Sequence, residues 1–119
     1  MPLPQTGEVY RAQLEPVRGS EQGKKRPVIV FQNPNLSRFT TTFLCVPMTT
    51  NMKRLGLPGA CHIRQGEGGL SEEGVALAFQ LRALDTSRLE KRYGKLSASA
   101  IESVADAILD AFGIQFGKP

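Results

Sequence analysis

The sequence predicts a small, mainly β domain: a strongly bent antiparallel sheet or barrel with one α-helix packed on it at the C-terminal end. Three observations carry this expectation. Short runs of β-branched and aromatic residues, such as Val28-Ile29-Val30-Phe31 and Thr41-Thr42-Phe43-Leu44-Cys45-Val46, recur between loops rich in glycine, proline and asparagine. One segment alone, near the end, spaces its apolar residues as a helix does. The length of 119 residues, with 40% hydrophobic and 22% charged, suits one globular domain with one core.

The elements follow in chain order. Gly7 to Leu14 alternates weakly, with Tyr10, Ala12 and Leu14 on one face, and reads as a half-buried strand. Glu15 to Lys25 is polar, with Pro16, Gly19 and Gly23, and reads as a long exposed loop. Val28 to Phe31 is a buried strand that Pro27 can open, closed by the turn residues Asn33-Pro34-Asn35. Thr41 to Val46 is a strong strand, and residues 51–59, with Lys53, Arg54, Gly56, Pro58 and Gly59, form a second basic loop. Cys61 to Arg64 is a short strand, and Val75 to Leu81 another, opened by Gly74. Asp85 to Tyr93 is charged and reads as one helical turn followed by irregular chain. Ile101, Val104, Ala105, Ile108, Leu109 and Phe112 make the apolar stripe of an amphipathic helix over Ser97 to Phe112. Ser99-x-x-Glu102 resembles a capping box, Ser97 is the rival cap, and Gly113 suits the C-terminal cap. The count is about five strands and one terminal helix, in a single domain over 1–119 with a core of about 7–113 and short flexible ends.

Composition excludes several functions. No apolar run approaches 18 residues, so no transmembrane helix is expected. Met1-Pro2-Leu3-Pro4-Gln5 lacks the basic and apolar regions of a signal peptide, which predicts a cytoplasmic protein. Cys45 and Cys61 are the only cysteines and His62 the only histidine, too few for a zinc site, so no metal and no cofactor is expected. Cys45 reads as a core thiol, and Cys61 and His62, adjacent on a strand, point to opposite faces. Ribonuclease mechanisms built on two histidines are excluded by the same count. The net charge of +4 fits an acidic or phosphate-bearing partner.

Three polar stretches are candidates for chemistry. Arg18 to Pro27 holds four cations against one acid, with glycines that let backbone amides approach an anion, or it is a solvated hairpin loop. Val46-Pro47-Met48-Thr49-Thr50-Asn51 places two hydroxyls at a strand end, where they either donate to a phosphate or simply end the strand. In Phe79-Gln80-Leu81-Arg82 a strand would put Gln80 and Arg82 on one face, as the lining of a polar groove or as the solvent side of a sheet.

The blocks Gly7-Glu8-Val9, Gly19-Ser20-Glu21-Gln22-x-x-x-Arg26-Pro27, Val46-Pro47-x-Thr49-Thr50, Gly74-Val75-Ala76-Leu77-Ala78-x-Gln80 and Arg82-x-Leu84-Asp85 stand in an order and spacing that resemble the MazF/PemK family of toxin–antitoxin systems, over about Gly7 to Gly113. The resemblance implies an SH3-like barrel of the CcdB/MazF type with a C-terminal helix, acting as a homodimer. It implies a sequence-specific, metal-independent endoribonuclease that cuts single-stranded RNA, chiefly mRNA. By the same resemblance Arg26 and Thr49 match the catalytic pair and Glu21 lies beside them. Ser20, Gln22, Thr50 and Gln80 match the lining of the RNA groove, to which the shared face adds Arg82. A cognate antitoxin would cover that groove with an acidic, partly disordered tail.

The chemistry agrees with that assignment. RNA carries its own nucleophile in the 2′-hydroxyl, so the protein need only orient it, stabilise the phosphoryl oxygens and move protons. A guanidinium suits the phosphate and a threonine hydroxyl adds a donor. Arginine is a poor base, so Glu21, the sole carboxylate of the main motif, is the candidate proton acceptor, its alternative role being to orient Arg26. Phe79 departs from the family, many of whose members carry an acid at that position. It either packs in the core or stacks on an unpaired base. Two other readings compete: an RNA binder that does not cleave, and a gyrase poison of the same fold. The second is disfavoured because the chain lacks tryptophan and keeps Arg26 and Thr49.

Overall fold

The computed structural model describes residues 3–15, 19 and 24–114. Seven strands form one antiparallel sheet: β1 Glu8–Gln13, β2 Lys25–Val30, β3 Thr42–Thr49, β4 Ala60–Ile63, β5 Gly74–Leu77, β6 Arg82–Asp85 and β7 Leu89–Lys95. The order across the sheet is β4-β5-β3-β2-β1-β7, with β6 also paired to β3. A single turn of helix, α1 Pro34–Ser37, follows β2, and the long helix α2 Ala98–Phe112 ends the described chain. The mainly β architecture with a terminal helix is as expected, with three differences in the elements.

First, the run from Val75 to Leu81 is not one strand. It ends at Leu77 and passes through a 3-10 turn, Ala78–Gln80, before β6 begins at Arg82. On β3, Met48 and Thr49 pair with β5 while Thr42 to Cys45 pair with β6, so Leu77 to Leu81 faces only Val46 and Pro47 and has to bulge. Second, the charged segment after Asp85 makes a 3-10 turn, Thr86–Arg88, and then β7, which pairs with β1 from Glu8↔Lys95 to Ala12↔Leu89. Its charges sit on an edge strand, where they are solvated or paired, as Arg92 is with Glu8 at 2.5 Å. Third, the turn at Asn33 closes into α1, capped by the Asn33 side chain, which accepts from the Asn35 N–H at 2.9 Å.

Apolar residues are buried on both sides of the sheet. Val9, Ile29, Val46, Met48, Ile63 and Ala76 pack with Val104 and Ala107 of α2. Ala12, Leu14, Val28, Val30, Phe43, Cys45 and Leu84 pack on the opposite side, against Tyr10 and Leu89. Ser97, not Ser99, caps α2, its hydroxyl accepting from the Ala100 N–H at 3.2 Å. Glu67 fixes that cap in turn, accepting from the Ser97 N–H at 2.9 Å and its hydroxyl at 2.8 Å. Gly113 ends the helix, its N–H returning to the carbonyls of Asp110 and Leu109.

The bent sheet closes through a crossing of glycines. The 3-10 turn Glu67–Gly69 passes directly over β7, where a Cβ on Gly69 would lie 2.1 Å from the Tyr93 carbonyl oxygen. Gly69 has φ +76°, a left-handed backbone that glycine adopts without strain. This crossing fixes the loop that forms one wall of the cleft described next.

Candidate active site

The cleft arises where β2 and β3 part. They pair from Val30↔Cys45 through Val28↔Pro47 and no further. Beyond that point β2 pairs with β1, through Pro27↔Arg11, Arg26↔Ala12 and Lys25↔Gln13, while β3 pairs with β5, through Met48↔Ala76 and Thr49↔Val75. Pro27 and Pro47 stand at the fork, and neither has an N–H to extend the ladder. Continuing the β2–β3 register past the fork sets Arg26 across from Thr49 and Lys25 across from Thr50.

The gap is a cleft of about 400 Å³. Lys25, Arg26, Pro27, Met48, Thr49 and Thr50 line it, together with Gly69 to Gly74 and Tyr93. Gly74 lets β5 approach closely here, since a Cβ on it would meet the Thr49 carbonyl oxygen at 2.8 Å.

The polar groups in the cleft differ in how far they are already engaged. Arg26 is half-buried, and its Nε is buried with no hydrogen-bond partner among the described residues. For a guanidinium lining a cleft, an anionic oxygen is the strongest acceptor. Thr49 is 8% exposed. Its Oγ1 accepts from the Asn51 N–H at 3.1 Å, which leaves the hydroxyl proton to donate into the cleft. Lys25 is more engaged, its Nζ 3.3 Å from Glu90, which also pairs with Arg11. Of the acids lining the cleft, Glu73 meets His62 Nε2 at 2.8 Å, while Glu72 is exposed beside it.

Arg26, Thr49 and Thr50, predicted from the sequence, therefore come together. Ser20, Glu21 and Gln22 lie outside the described residues. Gln80 and Arg82 do not line this cleft. The strand face they were expected to share does not exist, because Gln80 ends the 3-10 turn and Arg82 begins β6, opposite Cys45. Phe79 is not a core residue: it stands on that same bulging turn and is 40% exposed. Sequence reasoning missed the acidic wall at Glu72 and Glu73 and the contribution of Tyr93. Only the loop over 69–74 and its crossing of β7 bring them to Arg26, and no local pattern signals that.

The thiols play no part in the cleft. Burial pushes the Cys45 thiol up to about 12, against a smaller opposing pull from Arg82. Burial, and then the negative charge of Asp106, also raises Cys61. His62 is turned to Glu73. Among the described residues, no group of three His, Cys, Asp or Glu side chains could hold a metal ion, and no helix is long and apolar enough to cross a membrane.

The chain is similar to known proteins over nearly its whole length. Residues 5–112 match the family described as PemK-like, MazF-like toxin of type II toxin–antitoxin system. The chain is 33% identical over 108 residues to the endoribonuclease MazF of Staphylococcus saprophyticus, covering 91% of this chain and 90% of that one. A crystal structure of MazF from Deinococcus radiodurans superposes with a TM-score of 0.80 at 25% identity, covering 96% of this chain and all of that one. An endoribonuclease from a mycobacterial species, solved in complex with its cognate antitoxin, has the same fold, with a TM-score of 0.78 at 21% identity over 96% of this chain and 99% of that one. A match over nearly the whole chain places this protein in the PemK-like, MazF-like family of type II toxins.

Proposed function

We propose that this protein is a cytoplasmic, sequence-specific endoribonuclease toxin that cleaves single-stranded RNA, chiefly mRNA, without a metal ion. The observation that carries the reading is that Arg26 and Thr49 line one cleft, at positions that the register of β2 on β3 would set across from each other if continued past its last pair. The 33%-identical relative is itself an endoribonuclease.

In this mechanism the RNA backbone lies in the cleft with its scissile phosphate between Arg26 and Thr49. The guanidinium holds the non-bridging oxygens, and the Thr49 hydroxyl adds a hydrogen bond as charge grows on them. The 2′-oxygen attacks phosphorus while a carboxylate takes its proton, and Glu21 fills that role. The O2′–P bond forms, the P–O5′ bond breaks, and the leaving 5′-oxygen acquires a proton. The products are a 2′,3′-cyclic phosphate and a 5′-hydroxyl. Thr50, at the cleft edge, together with Ser20 and Gln22, contacts the flanking nucleotides.

The toxin works as a homodimer and is neutralised by a cognate antitoxin, as the mycobacterial neighbour was solved with one. An acidic segment of that antitoxin would satisfy Arg26 in place of RNA. The test is incubation of the purified protein with a long single-stranded RNA in EDTA, with mapping of fragment ends. Discrete cuts at a recurring short sequence, ending in 2′,3′-cyclic phosphate or its ring-opened 3′-phosphate, are expected. RNA bound but uncut would replace the nuclease with a non-cleaving RNA binder.

A further inference from the structure

We infer that Phe79 and Arg54 form a stacking subsite, outside the cleft, that holds one unpaired base of the bound RNA. The inference rests on the reading of the cleft as an RNA site and extends it to a residue that takes no part in the chemistry.

Phe79 is presented, not merely left exposed. It stands on the Ala78–Gln80 bulge with 40% of its surface open, while Ala78 before it is buried. The turn is tied down from behind: the Ala78 N–H donates to the Gly59 carbonyl at 2.8 Å, and the Gly59 N–H donates to Asp110 Oδ2 of α2 at 3.0 Å. A ring held on a fixed turn loses little freedom when a base stacks on it, so the binding energy is not spent on ordering.

Arg54 completes the platform. It comes from the 3-10 turn Met52–Gly56, and its Cζ lies over the Phe79 ring, 5.8 Å from the centroid. Its Nε is buried with no hydrogen-bond partner among the described residues. An aromatic face beside a guanidinium plane is a combination that grips unpaired bases whatever their identity.

The platform continues from the cleft. Thr50 lines the cleft, Asn51 caps the turn by accepting from the Lys53 N–H at 3.2 Å, and Arg54 follows. Thr50 and Arg54 are four Cα–Cα steps apart along the chain, so their Cα atoms lie at most about 14 Å apart. That is no more than about four stacked nucleotides at about 3.4 Å each. Lys53, exposed between them, supplies positive charge along the path. Basic residues leading from a phosphate site to an exposed ring favour a nucleic-acid strand over an apolar protein partner.

The experiment pairs protein variants with RNA lacking single bases. In a substrate cut at one mapped position, each flanking nucleotide is replaced in turn by an abasic residue, and binding and single-turnover cleavage are measured separately. For the wild type, one position within about four nucleotides of the cut should weaken binding about 5- to 100-fold. Phe79→Ala should lose a similar factor on intact RNA and nothing more at that abasic position. Phe79→Trp should restore binding, and Arg54→Ala should weaken the same position alone. The cleavage rate at saturating RNA should change little in any of them. Phe79→Leu, which keeps apolar bulk on the turn, controls for folding and should bind as weakly as Phe79→Ala. Additive losses at every position, or a loss of rate at saturation with binding intact, would overturn the subsite. So would unchanged RNA binding with a loss of self-association or of antitoxin binding. If wild type cuts no RNA, the nuclease reading fails by itself, and the binding arm still tests the subsite.

Discussion

Replacing Gly69 by alanine should damage the protein far more than replacing Gly66, three residues earlier in the same loop. Both glycines have positive φ, +76° and +92°, so both variants carry the strain of an L side chain in that region, about 1–2 kcal/mol. Each regains about 0.4–1 kcal/mol because alanine restricts the unfolded chain. The two sites differ in space. A Cβ on Gly66 meets nothing within 4 Å, whereas on Gly69 it would stand 2.1 Å from the Tyr93 carbonyl oxygen and 2.8 Å from its carbon. These are backbone atoms of β7, so no side chain can swing aside, and the loop and the strand must separate. Forced overpacking of this kind costs about 1–3 kcal/mol. For a domain of this size that widens the gap in midpoint between the two variants to about 4–15 °C. Gly69 and Tyr93 also line the cleft, so Gly69→Ala should lower RNA cleavage while Gly66→Ala leaves it close to wild type. Thermal and urea unfolding of the two variants side by side would measure the gap. A loss in Gly66→Ala equal to that in Gly69→Ala would refute the argument, since strain at φ would then account for everything and the crossing over β7 for nothing.

Other perturbations probe the site and the charged groups. Thr49→Val keeps the shape but removes the donor, and should cut the cleavage rate about 10²- to 10³-fold. It also leaves the Asn51 N–H without its acceptor and should cost about 1 kcal/mol in urea unfolding. Cys45 should resist thiol reagents until the chain unfolds, because burial holds it protonated. Above the usual thiol value of 9.0 the unfolded chain releases this proton and the folded one keeps it until about 12, so stability should fall with rising pH across that window. Cys45→Val should lessen that slope in alkaline denaturation curves. The Glu8 carboxyl is raised by burial but lowered more by its bond to Arg92 and to the Gln5 N–H, for a net depression. Its contribution is present above the ordinary value of 4.5 and lost as pH falls through the depressed one, so Arg92→Ala should cost stability at about pH 7 to 9, and the difference from wild type should shrink as pH falls below 4.5.

The parts of the fold legible in the sequence are those whose pattern is local. The α2 stripe, its Gly113 cap and the Val28–Val30 strand follow from spacing within a few residues, whereas the capping-box spacing pointed to Ser99 and Ser97 makes the cap. β7 was not legible because Leu-Glu-Lys-Arg-Tyr-Gly-Lys has neither alternation nor apolar bulk. It is a strand because β1 offers it an edge, an instance of pairing overriding propensity. The run from Val75 to Phe79 reads as continuous, and the bulge at Phe79 exists only because β3 pairs with two different strands. The site divides in the same way. Arg26 and Thr49 could be picked out by resemblance, but they line one cleft because β2 and β3 part just past Val28 and Pro47. Glu72 and Glu73 reach the cleft through the loop that Gly69 carries across β7, a long-range contact with no signature in either segment.

The central claim is that Arg26 stabilises the scissile phosphate with a planar pair of donors from one side of the β2–β3 fork. The most direct measurement is single-turnover cleavage of a mapped RNA in EDTA by wild type, Arg26→Lys and Arg26→Ala, with RNA binding and thermal unfolding measured on the same samples. The account predicts that Arg26→Ala stays folded and loses at least about 10²- to 10³-fold in rate. Arg26→Lys keeps the charge but not the fork, and should recover only part of that loss. Full activity in folded Arg26→Ala, or full recovery in Arg26→Lys, would contradict it.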